Sequence, residues 1–217
     1  MTETSTPAGT GGAPGAPGTV LFDMFGVIAR VQSPSGKARL LETAGVTGVR
    51  RAAFWEAYWS LRPPYDRGQV AGPGYWDLVA RALGTRFDAE RTAALVEADV
   101  ASWSAVDAEM VALVAGLAAA GRTVALLSNI PEELAVHYER HHPWLAHFRV
   151  RSLSCRTGHA KPDPAAYEGC LRELGADAAS VLFVDDREEN VRAARALGMR
   201  GHVFTSAADL RTALGTS

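Results

Sequence analysis

Residues 20–28 read VLFDMFGVI, a short apolar run from Val20 to Phe22 that ends on the acidic side chain of Asp23. A run this short that is apolar on both faces is typical of a central strand in a parallel sheet. Two later segments have the same form: Val124–Leu127, followed by Ser128-Asn129, and Val181–Val184, followed by Asp185-Asp186. The repeated pattern predicts three parallel strands with polar carboxyl ends.

Helical segments alternate with these strands. One begins at Ala108 and ends at Gly121, one begins at the Asp163-Pro164 N-terminal signal and ends at Gly175, and one runs from Glu188 to Gly198. Proline at the start and glycine just past the end are typical of helix boundaries. Weaker strands are expected at 147–153 and 202–204. This alternation predicts an α/β fold, a Rossmann-like parallel sheet with helices on both faces.

Residues 33–105 depart from the alternation, because they contain no convincing strand. Helices are expected near 37–44, 49–62, 74–83 and 88–102, with breaks at the Arg62-Pro63-Pro64 and Gly72-Pro73-Gly74 tripeptides. We interpret this stretch as an all-helical cap inserted after the first strand, over the carboxyl edge of the sheet. Residues 1–18 are expected to be a disordered tail, and 19–32 with 106–217 to form the α/β core.

The charge and composition of the chain indicate which kinds of binding partner to expect. The net charge of −2 gives no reason to expect nucleic acid, and no apolar run is long enough to span a membrane. The N-terminus lacks the pattern of a secretory signal, and the two cysteines, Cys155 and Cys170, are interpreted as reduced thiols. We therefore expect a cytoplasmic protein with a small-molecule substrate.

The polar strand ends are expected to meet, because ligands bind outside the carboxyl ends of the strands in open parallel sheets. Clustered carboxylates such as Asp23, Asp185 and Asp186 stay ionised only beside a cation, and oxygen ligands favour Mg²⁺. Together with Lys161, such a cation would attract a phosphate ester. Asp23 could then attack phosphorus, while Ser128 would bind the phosphate oxygens.

Four segments in order resemble the motifs of the haloacid-dehalogenase-like (HAD) superfamily. They are Asp23-Met24-Phe25-Gly26-Val27-Ile28, Leu127-Ser128-Asn129, Lys161-Pro162-Asp163-Pro164, and Val184 to Val191 with Ala193-Ala194 and Leu197-Gly198-Met199. The resemblance covers about Val20 to Leu214. The helical insertion resembles the C1 cap of subfamily I, and the Asp185-Asp186 pair with Asn190 resembles the branch of the sugar-phosphate phosphatases and the N-terminal phosphatase domain of soluble epoxide hydrolase.

The resemblance implies a role for each motif residue. Asp23 would be the catalytic nucleophile and a Mg²⁺ ligand, and Phe25 would offer its backbone carbonyl to the metal. Asp186 would be a further ligand, with Asp185 acting directly or through water. The remaining roles are phosphoryl binding by Ser128 and Asn129 and charge neutralisation by Lys161.

One position departs from the phosphatase pattern. Phosphatases of this family carry a second Asp two residues after the nucleophile, which protonates the leaving group, and here that position is Phe25. General acid–base help contributes about 10²–10⁴ in rate. We therefore expect slow hydrolysis of alkyl phosphates and a smaller loss for good leaving groups such as aryl or acyl phosphates.

Three functions follow from this departure. The favoured one is a Mg²⁺-dependent hydrolase of a small phosphorylated metabolite that acts through an aspartyl-phosphate. The second is a 2-haloacid dehalogenase, because those enzymes have an aromatic residue at the position of Phe25; the acidic pair disfavours it. The third is a non-catalytic module that binds a phosphorylated ligand or a protein.

Other residues receive structural interpretations. The stripe Trp55, Tyr58, Trp59 and Arg62 is expected in the helical core rather than in a substrate pocket. Asp163 is expected to cap a helix, Asn190 to orient the acidic loop, and Cys155 to be a thiol at the end of a strand. The histidines 137, 141 and 142 are expected at a helix end rather than at a metal. Cap residues that could contact substrate are left unranked: Arg62, Tyr65, Asp66, Arg67 and Trp76.

Overall fold

A five-stranded parallel sheet forms the centre of the protein in the computed structural model, which describes residues 18–216. The expected tail, residues 1–18, lies almost wholly outside the described residues. The strand order is β3-β2-β1-β4-β5. The strands are β1 Thr19–Phe22, β2 Thr123–Ser128, β3 Val150–Leu153, β4 Val181–Asp185 and β5 Arg200–Val203.

The three strands with the repeated pattern lie side by side at the centre of the sheet. Phe22 pairs with Leu126 of β2 and with Val184 of β4, so the next residues of all three strands leave the sheet at the same edge. Alternate residues face opposite layers: Val20 and Phe22 join one apolar cluster, and Leu21 joins another. Both faces of the sheet are therefore covered, as the continuous apolar runs predicted.

The helical insertion consists of five helices between β1 and β2, with no strand between residues 30 and 105 of the described chain. They are α1 Pro34–Thr43, α2 Arg50–Ser60, α3 Arg62–Asp66, α4 Gly72–Ala82 and α5 Ala89–Ser102. Their core is separate from those of the sheet and rich in aromatic rings, including the buried Phe54, Tyr58, Tyr75 and Trp76.

Both predicted breaks separate helices, since α2 ends at Ser60 and α3 at Asp66, but the residues of each break belong to the helix that follows. Arg62-Pro63-Pro64 begins the short helix α3, and Gly72-Pro73-Gly74 begins α4. In both helices a proline occupies the first turn, where its missing N–H costs no intrahelical hydrogen bond. The same residue type therefore marks the start of a helix.

Two linkers join the insertion to the sheet, and they run side by side. Arg30 N–H donates to Ala105 O at 2.8 Å, and Asp107 N–H donates to Ile28 O at 2.9 Å. The insertion thus leaves and rejoins the core at one place.

Six further helices complete the core. They are α6 Ala108–Ala119, α7 Glu132–His141, α8 Ser154–Thr157, α9 Pro164–Leu174, α10 Glu188–Ala196 and α11 Ala207–Leu214. The weaker strands are shorter than expected or shifted: His147 ends a 3-10 helix, Pro143–His147, and β5 ends at Val203, one residue before Phe204. None of the helices in residues 18–216 has the length and apolar character that a membrane crossing needs.

Candidate active site

Three acidic side chains and one lysine meet at the carboxyl edge of the sheet. Asp23 follows β1 and Asp185 ends β4, and the buried Lys161 Nζ lies between them, 2.6 Å from Asp23 Oδ1 and 2.8 Å from Asp185 Oδ2. The backbone N–H of Met24 also donates to Asp23 Oδ1 at 2.7 Å. These contacts fix the orientation of the Asp23 carboxylate.

Asp185 is fully engaged by the protein. Besides Lys161, its carboxylate accepts the backbone N–H of Arg187 at 2.8 Å and bonds from the Asn190 amide at 3.0 Å to each oxygen. Asn190 therefore orients the acidic loop, as the sequence predicted. Because both oxygens already have protein partners, Asp185 organises Lys161 and the loop.

Asp186 differs from its neighbour in being exposed. Its carboxylate lies against Gly26, where a Cβ would come within 2.2 Å of Asp186 Oδ2. Gly26 also has a φ of +88°, a conformation that side-chain-bearing residues rarely adopt. Glycine is thus required for the loop after β1 to pass beside this carboxylate.

The electrostatics of the cluster favour a bound cation. Burial, opposed by Lys161 and reinforced by Asp185, raises the pKa of Asp23 to about 7. Burial and Asp185 also raise the pKa of Asp186. Ligand oxygens of Asp23, Asp185 and Asp186 lie within 4.8 Å of one another. The oxygens of Asp23 and Asp186, with Asp185 adding negative charge beside them, fit a hard divalent ion such as Mg²⁺, which would restore the ionised state of the carboxylates.

Asn129, which is expected to bind the phosphoryl group, lines the cavity over the acidic cluster and also contacts the loop of the third motif. Its side-chain amide donates to Lys161 O at 2.9 Å and accepts from Lys161 N–H at 2.8 Å, so it anchors the loop that carries the lysine. Ser128 lies at the end of β2, where its Oγ is buried and has no hydrogen-bond partner among the described residues. A buried hydroxyl without a partner is suited to a ligand oxygen.

A cavity of about 410 Å³ opens over the acidic cluster. Asp23, Lys161 and Asp186 form part of its floor, and residues of the insertion and its linkers form part of its wall. The wall includes Val31, Trp59, Arg62, Asp66 and Trp103.

Phe25 lies in this cavity beside Asp23. Its ring makes edge-to-face contacts with Trp103, at 5.3 Å between centroids, and with Tyr138, at 5.9 Å. The position two residues after Asp23 is therefore part of an aromatic cluster rather than a polar one.

The expectation that the α2 stripe lies in the helical core is only partly right. Tyr58 is fully buried, and Trp55 packs against the core of the insertion. Trp59 is 48% exposed and lines the cavity, as does the buried Arg62. At helical spacing the four positions share one face about 100° wide, with Tyr58 and Trp59 at its opposite edges, and Arg62 begins α3 rather than continuing α2.

Arg62 is held by three groups of the insertion. Its guanidinium lies 2.9 Å from Asp66 Oδ1, 2.9 Å from Asp99 Oδ2 and 2.6 Å from the Tyr58 hydroxyl. Of the other cap candidates, Tyr65 and Trp76 belong to the insertion core, and Arg67 is not among the residues lining the cavity.

Sequence reasoning overlooked Val31 and Trp103 as pocket residues. They lie on the outgoing linker and at the end of α5. The signal that could have found them is their position in the sequence. Val31 and Trp103 lie where the insertion joins the core, and these joining segments pass the edge of the sheet where the ligand crevice is expected. Neither has an ionisable side chain that would have drawn notice.

The structural interpretations of other residues fit their contacts. Asp163 caps α9 by accepting from Ala165 N–H, and α7 ends at His141, which stacks on His137. The only group of three His, Cys, Asp or Glu side chains placed to share a metal within residues 18–216 is the acidic cluster. Burial raises the pKa of the Cys155 thiol to about 12, which makes it a poor nucleophile.

The family model for haloacid dehalogenase-like hydrolases matches residues 17–198, more than half of the chain. The chain belongs to this family. The matched span contains both linkers of the insertion and the four motifs up to Gly198, so the HAD match includes the residues that form the site.

Curated relatives are named as phosphatases or hydrolases. The sesquiterpene phosphatase astK of Aspergillus oryzae is 38% identical over 114 residues, which are 50% of this chain and 58% of that protein. Flavin mononucleotide hydrolase 1 of Arabidopsis thaliana is 40% identical over 57 residues, 26% of this chain and 23% of that protein. The HAD chain thus matches less than two thirds of the length of either relative.

Solved structures share the fold over nearly the whole chain. A HAD family enzyme from Bacteroides thetaiotaomicron has a TM-score of 0.76 at 17% identity, over 90% of this chain and 97% of that one. Its wild-type complex with magnesium and inorganic phosphate has a TM-score of 0.70 at 18% identity, over 88% and 98%. The L-2-haloacid dehalogenase of Xanthobacter autotrophicus has a TM-score of 0.60 at 19% identity, over 91% and 82%. At these identities the likeness establishes the fold.

Proposed function

We propose that this HAD-family protein is a Mg²⁺-dependent phosphohydrolase that cleaves a small phosphate monoester through an aspartyl-phosphate on Asp23. The observation that carries the proposal is the acidic cluster of Asp23, Asp185 and Asp186 around the ammonium of Lys161, beneath an open cavity. Without a metal, the negative charge of these carboxylates would repel an anion. Once a divalent cation is bound, the same cavity floor would attract a phosphate.

The metal would be held by Asp23, Asp186 and the backbone carbonyl of Phe25, with Asp185 acting through the groups it orients. Bound Mg²⁺ would neutralise the carboxylates and polarise the phosphoryl group. The structure of a related HAD enzyme is described as a complex with magnesium and inorganic phosphate, which supports this ligand pair.

Asp23 would act as the nucleophile. One carboxylate oxygen attacks phosphorus, the bond from phosphorus to the leaving oxygen breaks, and that oxygen departs with the electron pair. Lys161 stabilises the negative charge on Asp23 before attack and on the phosphoryl group afterwards. The Ser128 hydroxyl is placed to donate to a phosphoryl oxygen, and Asn129 positions Lys161. Water then hydrolyses the aspartyl-phosphate and regenerates the carboxylate.

The helical insertion, residues 33–105 in the proposed domain division, would act as a cap that surrounds the leaving group. Trp59, Arg62 and Asp66 bring insertion side chains to the cavity. The cap therefore contributes to substrate choice, whereas residues 19–32 and 106–217 carry the chemistry.

Phosphate release from an aryl phosphate tests the proposal. We expect Mg²⁺-dependent release that a chelator abolishes and that Asp23→Asn lowers by at least about 10³-fold. Asp177→Asn, a change of the same kind at an exposed position away from the cavity, is the control and should leave the rate unchanged. Phosphate release that persists in Asp23→Asn would contradict the assigned nucleophile.

The dehalogenase alternative remains testable in the same preparation, because Phe25 is aromatic and a dehalogenase shares the fold. Chloride release from a 2-haloacid in the presence of a chelator would establish that alternative. Neither release, together with Mg²⁺-dependent binding of phosphate, would establish a non-catalytic binding module.

A further inference from the structure

We infer that the natural substrate carries an apolar, uncharged leaving group, held by an aromatic wall made of Phe25, Trp59 and Trp103. The inference rests on the proposed phosphohydrolase function and adds the class of the substrate to it. The three residues come from three separate segments: the loop after β1, helix α2 and the end of α5.

The three rings form one continuous surface. Trp103 contacts Phe25 edge-to-face at 5.3 Å and Trp59 edge-to-face at 6.1 Å. All three line the cavity above Asp23. Because the Trp103 indole N–H donates to the Tyr58 hydroxyl at 3.0 Å, it is already occupied within the insertion. The wall therefore offers ring surfaces to a ligand more than hydrogen-bonding groups.

Exposed apolar side chains are concentrated at the same cavity. Three large hydrophobic residues of the described chain are exposed, namely Val31 at 59%, Val49 at 95% and Trp59 at 48%. Two of them, Val31 and Trp59, line the cavity. Exposed apolar surface beside a polar site marks a place where a ligand is buried.

The cations of the cavity are already paired with protein carboxylates. Lys161 lies between Asp23 and Asp185, and Arg62 contacts Asp66 and Asp99. Arg187 pairs with Glu189. A carboxylate or second phosphate on the leaving group would compete with Asp23, Asp185, Asp66 and Asp99 for the buried Lys161 and Arg62, so the cavity disfavours a charged leaving group.

Aryl groups are apolar leaving groups that also agree with the chemistry at Phe25. A phenolate or another stabilised anion departs without protonation, so it does not need the acid that this position lacks. The same side chain thus removes the proton donor and adds a ring to the wall.

Three aryl phosphates of similar leaving-group acidity separate recognition from reactivity: phenyl phosphate, 2-naphthyl phosphate and 4-(carboxymethyl)phenyl phosphate. We expect kcat/KM for the naphthyl ester to exceed that for the phenyl ester by on the order of tenfold, because a second ring buries more apolar area. The carboxylated ester should be the poorest of the three.

Variants assign the preference to the wall. Trp59→Ala should reduce the naphthyl-to-phenyl ratio of kcat/KM towards one. Val31→Asn should reduce the same ratio, whereas Val49→Asn, the identical change at an exposed site away from the cavity, should leave it unaltered. Because Val31 and Val49 are both exposed, neither change disturbs a core.

Binding provides a readout that needs no turnover. In the wild-type protein with Mg²⁺, the non-hydrolysable 2-naphthylmethylphosphonate should bind on the order of tenfold more tightly than benzylphosphonate by calorimetry, and Trp59→Ala should remove the difference. Hydrolysis of all three esters with a ratio insensitive to Trp59, or a preference for the carboxylated ester, would overturn the inference while leaving the phosphohydrolase in place. If no ester is hydrolysed but the analogues bind with the expected preference, the proposed function fails and the apolar ligand site stands.

Discussion

At the scale of single residues, Phe25 and Gly26 show that neighbouring positions in one loop can serve opposite purposes. Phe25 extends the wall of the cavity, whereas Gly26 has no side chain and so allows Asp186 to approach the loop. The chemistry of the site depends on both residues. Phe25 determines what surrounds the leaving group, and Gly26 determines where the proposed metal ligand Asp186 can lie.

Restoring an acid at position 25 should extend the substrate range. We expect Phe25→Asp to raise kcat/KM for an alkyl phosphate by on the order of 10²-fold, since a carboxylic acid beside Asp23 can protonate the leaving oxygen. Phe25→Asn is the matched control, because asparagine has the shape of aspartate but cannot donate a carboxylic acid proton. Equal rates for the two variants would show that this position does not supply the proton.

Adding one methyl group at Gly26 should damage the site more than the fold. Gly26→Ala would force its Cβ against Asp186 Oδ2, so we expect the rate to fall by on the order of 10²-fold. Gly84→Ala is a matched control, because Gly84 also has a positive φ but no atom within 4 Å of its Cβ position. Both variants should lose about 1 kcal/mol of stability from backbone strain, measured by urea unfolding, but Gly84→Ala should retain its rate.

At the scale of secondary-structure elements, a buried charge network joins three helices of the insertion. Arg62 begins α3, Asp99 lies in α5, and Tyr58 of α2 donates its hydroxyl to Asp99 at 2.6 Å. Both members of the ion pair are buried, with the Asp99 side chain 3% exposed. Each charge therefore depends on its partner, because solvent cannot replace it.

Removing one charge of this pair should destabilise the protein. We expect Asp99→Asn to lower the free energy of unfolding by about 3 kcal/mol, because it leaves the Arg62 guanidinium buried without a full counter-charge. Asp77→Asn breaks the exposed pair with Arg81 and should cost less than about 0.5 kcal/mol. The free energies of unfolding are measured by denaturant titration. Equal losses in Asp99→Asn and Asp77→Asn would show that burial of the ion pair does not determine its contribution to stability.

A surface ion cluster between α7 and α8 should give the protein acid-sensitive stability. Hydrogen bonds from Arg156 hold the pKa of Glu132 and of Glu139 below the ordinary 4.5. A carboxyl whose pKa is lowered on folding stabilises the protein above its unfolded pKa, and the contribution is lost as the pH falls through the folded value.

Arg156→Met tests this cluster. Its loss of stability should be at most about 1 kcal/mol at neutral pH, because the groups are partly exposed, and should vanish at pH values well below the ordinary glutamate range. Arg140→Met, at an exposed position of α7, the helix that carries Glu132 and Glu139, should show no such pH dependence. A difference that persists in strong acid would indicate a packing effect.

The sequence correctly predicted the strands whose apolar runs end in polar residues. The three apolar runs with polar ends became adjacent strands, and their register brings Asp23 beside Asp185. At the Pro63-Pro64 segment the pattern marked the end of α2 but missed the short helix α3, whose Tyr65 packs in the aromatic core of the insertion. It also failed for Trp59, since periodicity alone cannot tell a residue that faces a core from one that faces a cavity.

At the scale of the whole molecule, the insertion touches the core at several points besides its linkers. Glu133 of α7 accepts the backbone N–H of Gly72 at 2.6 Å, and the Tyr138 hydroxyl donates to Trp103 O at 2.7 Å. Ser154 donates to the backbone carbonyl of Asp66. These hydrogen bonds fix the insertion relative to the core on the side of the molecule where the insertion forms the cavity wall.

Cation binding should stabilise the whole fold. Because the proposed Mg²⁺ site exists only in the folded chain, saturating Mg²⁺ at about 100 times its dissociation constant should add about 2.7 kcal/mol to the free energy of unfolding. Asp186→Asn should greatly reduce the shift in melting temperature, whereas Asp177→Asn should preserve it. A Mg²⁺ effect that does not depend on Asp186 would contradict the proposed ligand set.

The adjacent linkers have a further consequence for how this architecture can change. Because Arg30 and Ala105 are hydrogen-bonded to each other, a single short turn could close the chain there without moving any strand. The segment between them is one continuous piece of chain, so replacing it would leave the strands and the order of the core elements intact. One genetic insertion or replacement at that junction can therefore alter what the protein accepts while the reaction centre beneath it is inherited unchanged.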